Sequence, residues 1–241
     1  MYRGKKNNMN MLGVFVKQPV LGKVKTRLGA DIGVEYATSL YTAFQSDIID
    51  RFREMAETRF LCYAPNETAA KDYFSGQGRG GYQLWLQPDV SLGERMHQFF
   101  CYAFAHNAQR VVVIGSDSPT LPEKLIQEAF DCLEESDCVI GPATDGGFYL
   151  IGQRTEARPL FDGIEWSHAT VLSQMVQKIK QANATLSLLS PWYDVDREED
   201  LQFLEGHLKA LQQTNHLSHM NRTIQAIETG QGGRTAETSL L

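Results

Sequence analysis

Lys17, Lys23, Lys25 and Arg27 set four cations within eleven residues, in the segment Lys17-Gln18-Pro19-Val20-Leu21-Gly22-Lys23-Val24-Lys25-Thr26-Arg27. Lysine and arginine give charge-assisted bonds to phosphate oxygens, and Gly22 lets the backbone approach a ligand closely. The chemistry that suits such a segment is the binding of an anion, a phosphate above all. It is not a Walker A loop, because Val24 rather than Ser or Thr follows Gly22-Lys23, and no GxGxxG is present either. A solvated basic loop is the plain alternative for any charge cluster. Position favours the anion site: the segment follows a strand-like run, Met11–Val16, and precedes a helix.

Carboxylates come next. Gly115-Ser116-Asp117-Ser118-Pro119 directly follows the β-branched run Val111–Ile114. A carboxylate at such an edge suits Mg²⁺ or Mn²⁺, hard cations that take oxygen ligands; an Asx turn leading into a helix uses the same residues. Asp145-Gly146-Gly147 reads first as a hairpin turn, with the role of Asp145 left open. In Asp194-Val195-Asp196, extended alternation sends the two carboxylates to opposite faces, so only one can share a site with Asp117. Asp196, nearer the next helix, is the choice, although pairing with Glu199 as a helix cap is a competing explanation. Ser91 and Glu94 form a capping box, which leaves Arg95 one turn into a helix and able to reach a ligand. Trp166 sits in a loop, where a Trp can line a pocket. The six histidines form no HxxxH or triad spacing.

These loops need a scaffold. Apolar runs near 11–16, 58–63, 82–86, 111–114, 138–141, 147–152 and 185–189 read as strands. Helical spacing marks 34–54, 92–106, 122–133, 168–181 and 198–212. Strands alternating with helices predict an α/β layer fold with a Rossmann-like, mainly parallel sheet. The short gap around Asp145 predicts a hairpin, hence a mixed sheet. In such sheets ligands bind beyond the carboxyl ends of the strands, where all four loops fall. One domain is expected over 9–229, with tails at 1–8 and 230–241.

Of the 241 residues 42 % are apolar, enough for a core, and the formal net charge is −6. Residues 1–30 hold seven Lys or Arg and no acid, while the remainder carries 16 basic against 29 acidic residues. A basic entrance on an acidic body suits a local anion site and argues against nucleic acid as partner. No apolar run approaches a membrane span, and no secretory signal is evident. Cys62, Cys101, Cys132 and Cys138 include no CxxC pair, so a reduced, cytoplasmic protein is expected.

Taken together, Phe15-x-Lys17-x-Pro19-x-x-Gly22-x-Val24-Lys25-Thr26-Arg27-Leu28, Gly115-Ser116-Asp117-Ser118-Pro119, Gly141-Pro142 with Asp145-Gly146-Gly147-Phe148-Tyr149, Trp166-Ser167 and Asp194-Val195-Asp196 resemble a bacterial glycosyltransferase family. That family belongs to the nucleotide-diphospho-sugar transferase (GT-A-like) superfamily, and its members are described as partners of radical-SAM enzymes. The resemblance covers about residues 9–205. It implies a nucleotide bound over the first strand and its loop, with Phe15, Lys17, Gly22, Lys25, Thr26 and Arg27 as the nucleotide and phosphate set, to which Arg95 is added from its own place one turn into a helix. It also implies Mg²⁺ or Mn²⁺ held by Asp117 and Asp196, and an acceptor pocket at Gly146, Gly147 and Trp166. Asp145 would orient the acceptor or act as base. The first Asp of the superfamily's DxD element is missing here. A glycine-rich loop ending in Arg, usual in nucleotidyltransferases, is also absent, which favours sugar transfer. The expected activity is transfer of a sugar from a nucleotide-sugar donor to a small-molecule acceptor. Nucleotidyl transfer with pyrophosphate release, or a non-catalytic nucleotide-binding subunit, are the alternatives.

Overall fold

The structure is a computed structural model describing residues 9–214 and 220–238, with side chains as far as Gly230. The chain runs β1 (Asn10–Lys17), α1 (Thr26–Ile32), α2 (Val34–Arg51), β2 (Thr58–Ala64), α3 (Thr68–Gln77), β3 (Gln83–Leu86) and α4 (Leu92–Ala105). It continues through β4 (Arg110–Ile114), α5 (Glu123–Cys132), β5 (Cys138–Pro142), β6 (Phe148–Arg154), α6 (Val171–Gln181), β7 (Leu186–Leu188), α7 (Glu198–Gln213) and α8 (Asn221–Thr238). The seven strands form one sheet in the order β3-β2-β1-β4-β6-β5-β7. β1, β2, β3 and β4 are mutually parallel, β5 and β7 pair in parallel, and β6 runs antiparallel to both β4 and β5. The expected mixed, mainly parallel sheet is therefore present.

Its strands are apolar on both faces because helices cover both. Along β1, Leu12, Val14 and Val16 face α2, α3 and α5 through Ile48, Phe52, Phe74, Ile126 and Phe130. Met11 joins the other side with Phe60, Val111 and Val113, against Phe99 and Phe100 of α4 and Met175 of α6. That is the reason for the β-branched run in β4: both faces are dry. Gly13 has a packing role, since a Cβ there would stand 2.4 Å from the Phe99 ring. Cys62 and Cys138 are buried and unpaired.

Three helices go beyond the sequence expectation. α1 begins inside the cation segment, and α3 buries only Ala70 and Phe74, too short an apolar repeat to be read. α8 is the third, and it continues through residues 230–238, which sequence composition suggests as tail. It is held by Thr223 and Ile227, both buried, and by Gly230, where a Cβ would stand 2.1 Å from the Tyr36 ring of α2. The glycine serves helix contact, not chain flexibility. The tail expected at 1–8 lies outside the described residues. Among the described residues no helix is long and apolar enough to cross a membrane.

The sheet order puts β1 next to β4, with β2 and β3 leading away on one side and β6, β5 and β7 on the other. This is a topological switch point, the place where the connections diverge and leave a crevice at the strand ends. The segments after β1 and β4 lie directly over it.

Candidate active site

A cleft of about 1040 Å³ opens at the carboxyl edge of the sheet. Phe15, Lys17, Lys25, Thr26, Arg27, Arg95, Asp117, Asp145, Gly147, Trp166 and Asp196 all line it. The sheet thus gathers residues that sequence leaves up to about 180 positions apart. Gly22 and Gly146 are not among the lining residues. Gly22 forms the loop's turn at φ +69°, and Gly146 packs its backbone on Ala169, where a Cβ would meet the Ala169 carbonyl at 2.3 Å.

The cation segment is built from the end of β1. Gln45 of α2 donates to the Lys17 carbonyl at 2.8 Å, and the Lys17 N–H donates to the Tyr41 hydroxyl at 3.3 Å. Lys17 Nζ donates to the Lys23 carbonyl at 2.9 Å, closing the loop on itself. Lys25 follows in the left-handed region, φ 46° and ψ 45°, as the residue preceding α1. A non-glycine residue there is strained by roughly 1 kcal/mol or more. The consequence is direction: the Lys25 side chain turns inward, with only 3 % of it exposed.

Inside, the Lys25 ammonium meets two carboxylates. It makes a short ion pair with Asp117 Oδ1 and lies 2.7 Å from Asp196 Oδ1. Burial alone would lower the lysine's pKa; Asp117 and then Asp196 outweigh it, and the pKa is raised above the usual lysine value. The ammonium also stands 5.9 Å from the centre of the Tyr41 ring, a cation–π distance. Tyr41 shares a 3.0 Å hydrogen bond with Ser116, and burial pushes its phenol up to about 12, so it is neutral at pH 7. Neither Tyr41 nor its role is legible beforehand, since its spacing in α2 is that of a core residue.

Asp117 and Asp196 are brought together by backbone. The Val195 N–H donates to the Asp117 carbonyl at 3.0 Å. Asp196 is not a helix cap paired with Glu199: Asp200 performs that task, accepting from the backbone N–H groups of Asp196 and Arg197 at 2.9 and 2.8 Å. The Asp196 carboxylate is released to face Lys25. Although burial pushes its pKa up, Lys25 and then Arg27 hold it below the usual range.

One expectation needs correcting. Asp194 and Asp196 both line the cleft, although strict alternation would send one away. Residues 193–196 belong to no strand, so the two-residue period does not apply. Asp194 accepts a short hydrogen bond from Ser118. Burial first, and the neighbouring Asp117 second, raise its pKa to about 7.

The other wall is aromatic. Phe148 and Trp166 meet edge to face, with ring centres 6.2 Å apart. Gly93 makes room for the indole, since a Cβ there would lie 2.8 Å from it. Arg95 is anchored through its Nε to the Val90 carbonyl at 2.7 Å. Ser91 caps α4 by accepting from the Glu94 N–H at 3.3 Å. Asp145 accepts from the Gly147 N–H at 2.8 Å, an Asx turn at the tip of the β5–β6 hairpin. Gln87, buried, bridges the Val16 and Cys62 carbonyls at the ends of β1 and β2.

The donor set fits a divalent cation on one observation: Asp117 Oδ1 and Asp196 Oδ1 already converge on a single positive charge. Among the described residues no group of three or more His, Cys, Asp or Glu is arranged to hold a metal alone. Two carboxylates with the remaining positions filled by substrate phosphates and water is the usual arrangement for Mg²⁺.

Comparison with known proteins agrees with this architecture. Residues 49–168 match the family described as "Uncharacterized protein conserved in bacteria (DUF2064)". Among solved structures, the "putative nucleotide-diphospho-sugar transferase from Desulfovibrio desulfuricans G20" is 35 % identical, with a TM-score of 0.82 over 92 % of this chain and 95 % of that one. A nucleotidyl transferase from Methanothermobacter thermautotroptrophicus shares the fold at 11 % identity, TM-score 0.58, over 83 % of this chain and 97 % of that one. So does the 4-diphosphocytidyl-2C-methyl-D-erythritol synthase of Anaerococcus prevotii DSM 20548, at 10 % identity, TM-score 0.55, over 84 % and 99 %. No curated protein matches by sequence. On its identity to the Desulfovibrio protein over nearly the whole of both chains, this chain belongs to that protein's bacterial family within the nucleotide-diphospho-sugar transferase (GT-A-like) superfamily.

Proposed function

We propose that the cleft is the active site of a metal-dependent glycosyltransferase, which moves a sugar from a nucleotide-diphosphate-sugar to a small-molecule acceptor. The observation that carries this reading is the convergence of Asp117, Asp196 and the Lys17–Arg27 segment over the β1–β4 crevice. A diphosphate leaving group brings two negative charges to such a place, and the segment answers with Lys17, Lys25 and Arg27. Phe15 and Thr26 line the same end, and the nucleotide belongs over β1. A divalent cation held by Asp117 and Asp196 supplies charge neutralisation on the departing diphosphate.

Phe148 and Trp166 offer apolar rings to a sugar or acceptor, and Arg95, as a member of the nucleotide and phosphate set, adds a positive charge to the cleft. Gly147 fixes Asp145 through its N–H, so the carboxylate is oriented to receive an acceptor proton or hold its hydroxyl. The family relationship with a nucleotide-diphospho-sugar transferase supports the donor class.

The test is product analysis. Purified protein with a panel of nucleotide-sugars and Mn²⁺ should release nucleoside diphosphate with the sugar passed to water, and Asp117→Ala, folded by circular dichroism, should not. Release of pyrophosphate from a nucleoside triphosphate would replace the reading with nucleotidyl transfer. Nucleotide binding without any turnover would replace it with a non-catalytic subunit.

A further inference from the structure

We infer that Lys25 is a displaceable counter-ion: its ammonium, set between Asp117 and Asp196, holds the position that a divalent cation takes when an anionic ligand draws the lysine away. The inference rests on the proposed metal-dependent reading of the same cleft and adds an order of events to it.

Four observations carry it. First, both carboxylates use one oxygen each, Oδ1, for the same ammonium, so a metal drawn to those oxygens competes with Lys25 for them and is repelled by its charge. Second, the two carboxylates are 42 % and 43 % exposed, whereas the lysine is almost fully covered. Solvent and a metal ion therefore have access to the acid side of the pair. Third, Lys25 is held inward by a left-handed backbone at the start of α1. A swing of the side chain needs no rupture of helix or strand, since Lys25 precedes the first turn. Fourth, the neighbours that would receive the anion are already cationic: Lys17, Lys23 and Arg27 line the same cleft. A diphosphate drawn there offers the Lys25 ammonium an alternative set of negative oxygens within the same loop.

The exchange raises the positive charge at the two carboxylates by one. One positive group leaves as a doubly positive one arrives, and the extra charge is matched by the phosphate oxygens that bind both. Without a phosphate, the metal must displace a paired ammonium and then strand it in a buried place, which is costly. Metal and anionic ligand should therefore bind with positive coupling, reciprocal by linkage. Free metal alone should bind weakly.

Lys25→Gly is the informative variant, because glycine accepts φ 46° without strain and removes the ammonium; Lys25→Met is its companion should added backbone freedom disturb the loop. Binding of Mn²⁺ alone, followed by water-proton relaxation enhancement, should be on the order of tenfold tighter in the variants than in the wild type, within the usual span of coupling between two ligands. Adding inorganic pyrophosphate should raise protein-bound Mn²⁺ in the wild type and change it much less in Lys25→Gly. Equal Mn²⁺ affinity in wild type and both folded variants overturns the inference, as does a wild-type signal that pyrophosphate leaves unmoved. Neither readout depends on turnover: a protein that passes this test yet releases no nucleoside diphosphate has lost the glycosyltransferase reading and kept the exchange.

Discussion

The Val195 N–H reaches the Asp117 carbonyl at 3.0 Å, tying the loop after β4 to the approach of α7. That bond sets the spacing of the two carboxylates that flank it in space, Asp117 on one strand-end loop and Asp196 one residue beyond the other partner. Their ion pairs with Lys25 join a third piece of chain 171 residues away from Asp196. Loss of either acid should therefore act on chemistry and on the loop together.

Asp196→Asn keeps the shape and removes a charge. Turnover of a nucleotide-sugar should fall by roughly 10²–10³, the usual effect of deleting one electrostatic contact in a transition state. Stability should fall by about 1–3 kcal/mol, less than for a fully buried pair because the carboxylate is half exposed. Initial rates and urea denaturation of the same preparation check both halves. Unchanged turnover with lowered stability would reduce Asp196 to a loop support.

Tyr41→Phe deletes one hydroxyl that serves Ser116 and the Lys17 N–H. The expected cost is about 1–2 kcal/mol of stability, since buried partners lose a hydrogen bond. A weaker affinity for pyrophosphate, measured by calorimetry, should accompany it, because the end of β1 positions the cation segment.

Gly13→Ala tests the packing of the sheet on α4. The new methyl would meet the Phe99 ring at 2.4 Å, and overpacking of this kind costs about 1–3 kcal/mol. The urea midpoint should drop with the m-value unchanged. A silent substitution would mean that the Phe99 ring yields easily.

Asp137 supplies the pH dependence. Its carboxyl is held below the usual range, first by the Thr185 backbone N–H and then by the Thr185 hydroxyl and the Arg158 and Arg154 guanidiniums. A lowered folded-state pKa contributes stability that is present above the unfolded value, 3.8, and is lost as pH falls through the folded one. Asp137→Asn should therefore be less stable than wild type at pH 7, and the difference should shrink below about pH 4. Denaturation curves at pH 7, 5, 4 and 3 for both proteins measure it.

The parts of the molecule that follow a local period were open to reading. β1 and β4 are dense in apolar residues, and α2, α4 and α5 repeat theirs at helical spacing, because both sheet faces are covered. α1 and α3 escaped because the first starts within a charged segment and the second buries only two side chains. α8 escaped because Gly230 looks like a chain breaker until Tyr36 is seen beneath it. In the cleft, the residue types and the strand ends were enough to nominate Asp117, Asp196 and Lys17–Arg27 for one place. The inward turn of Lys25 was not, because it depends on a left-handed backbone at a lysine, and Asp194 was set aside by a strand rule applied to a stretch that is not a strand.

The two rims of the sheet differ in how their charges are settled. At the far rim, Asp137 is saturated by Thr185, Arg154 and Arg158, and Arg110 is paired with Glu134 at 2.9 Å. Those charges are paired with near neighbours. At the near rim, Lys17, Lys23 and Arg27 line one cleft with Asp117 and Asp196. The sheet is thus polarised end to end: one rim pairs its charges with near neighbours, the other gathers charges from distant parts of the chain around a cleft.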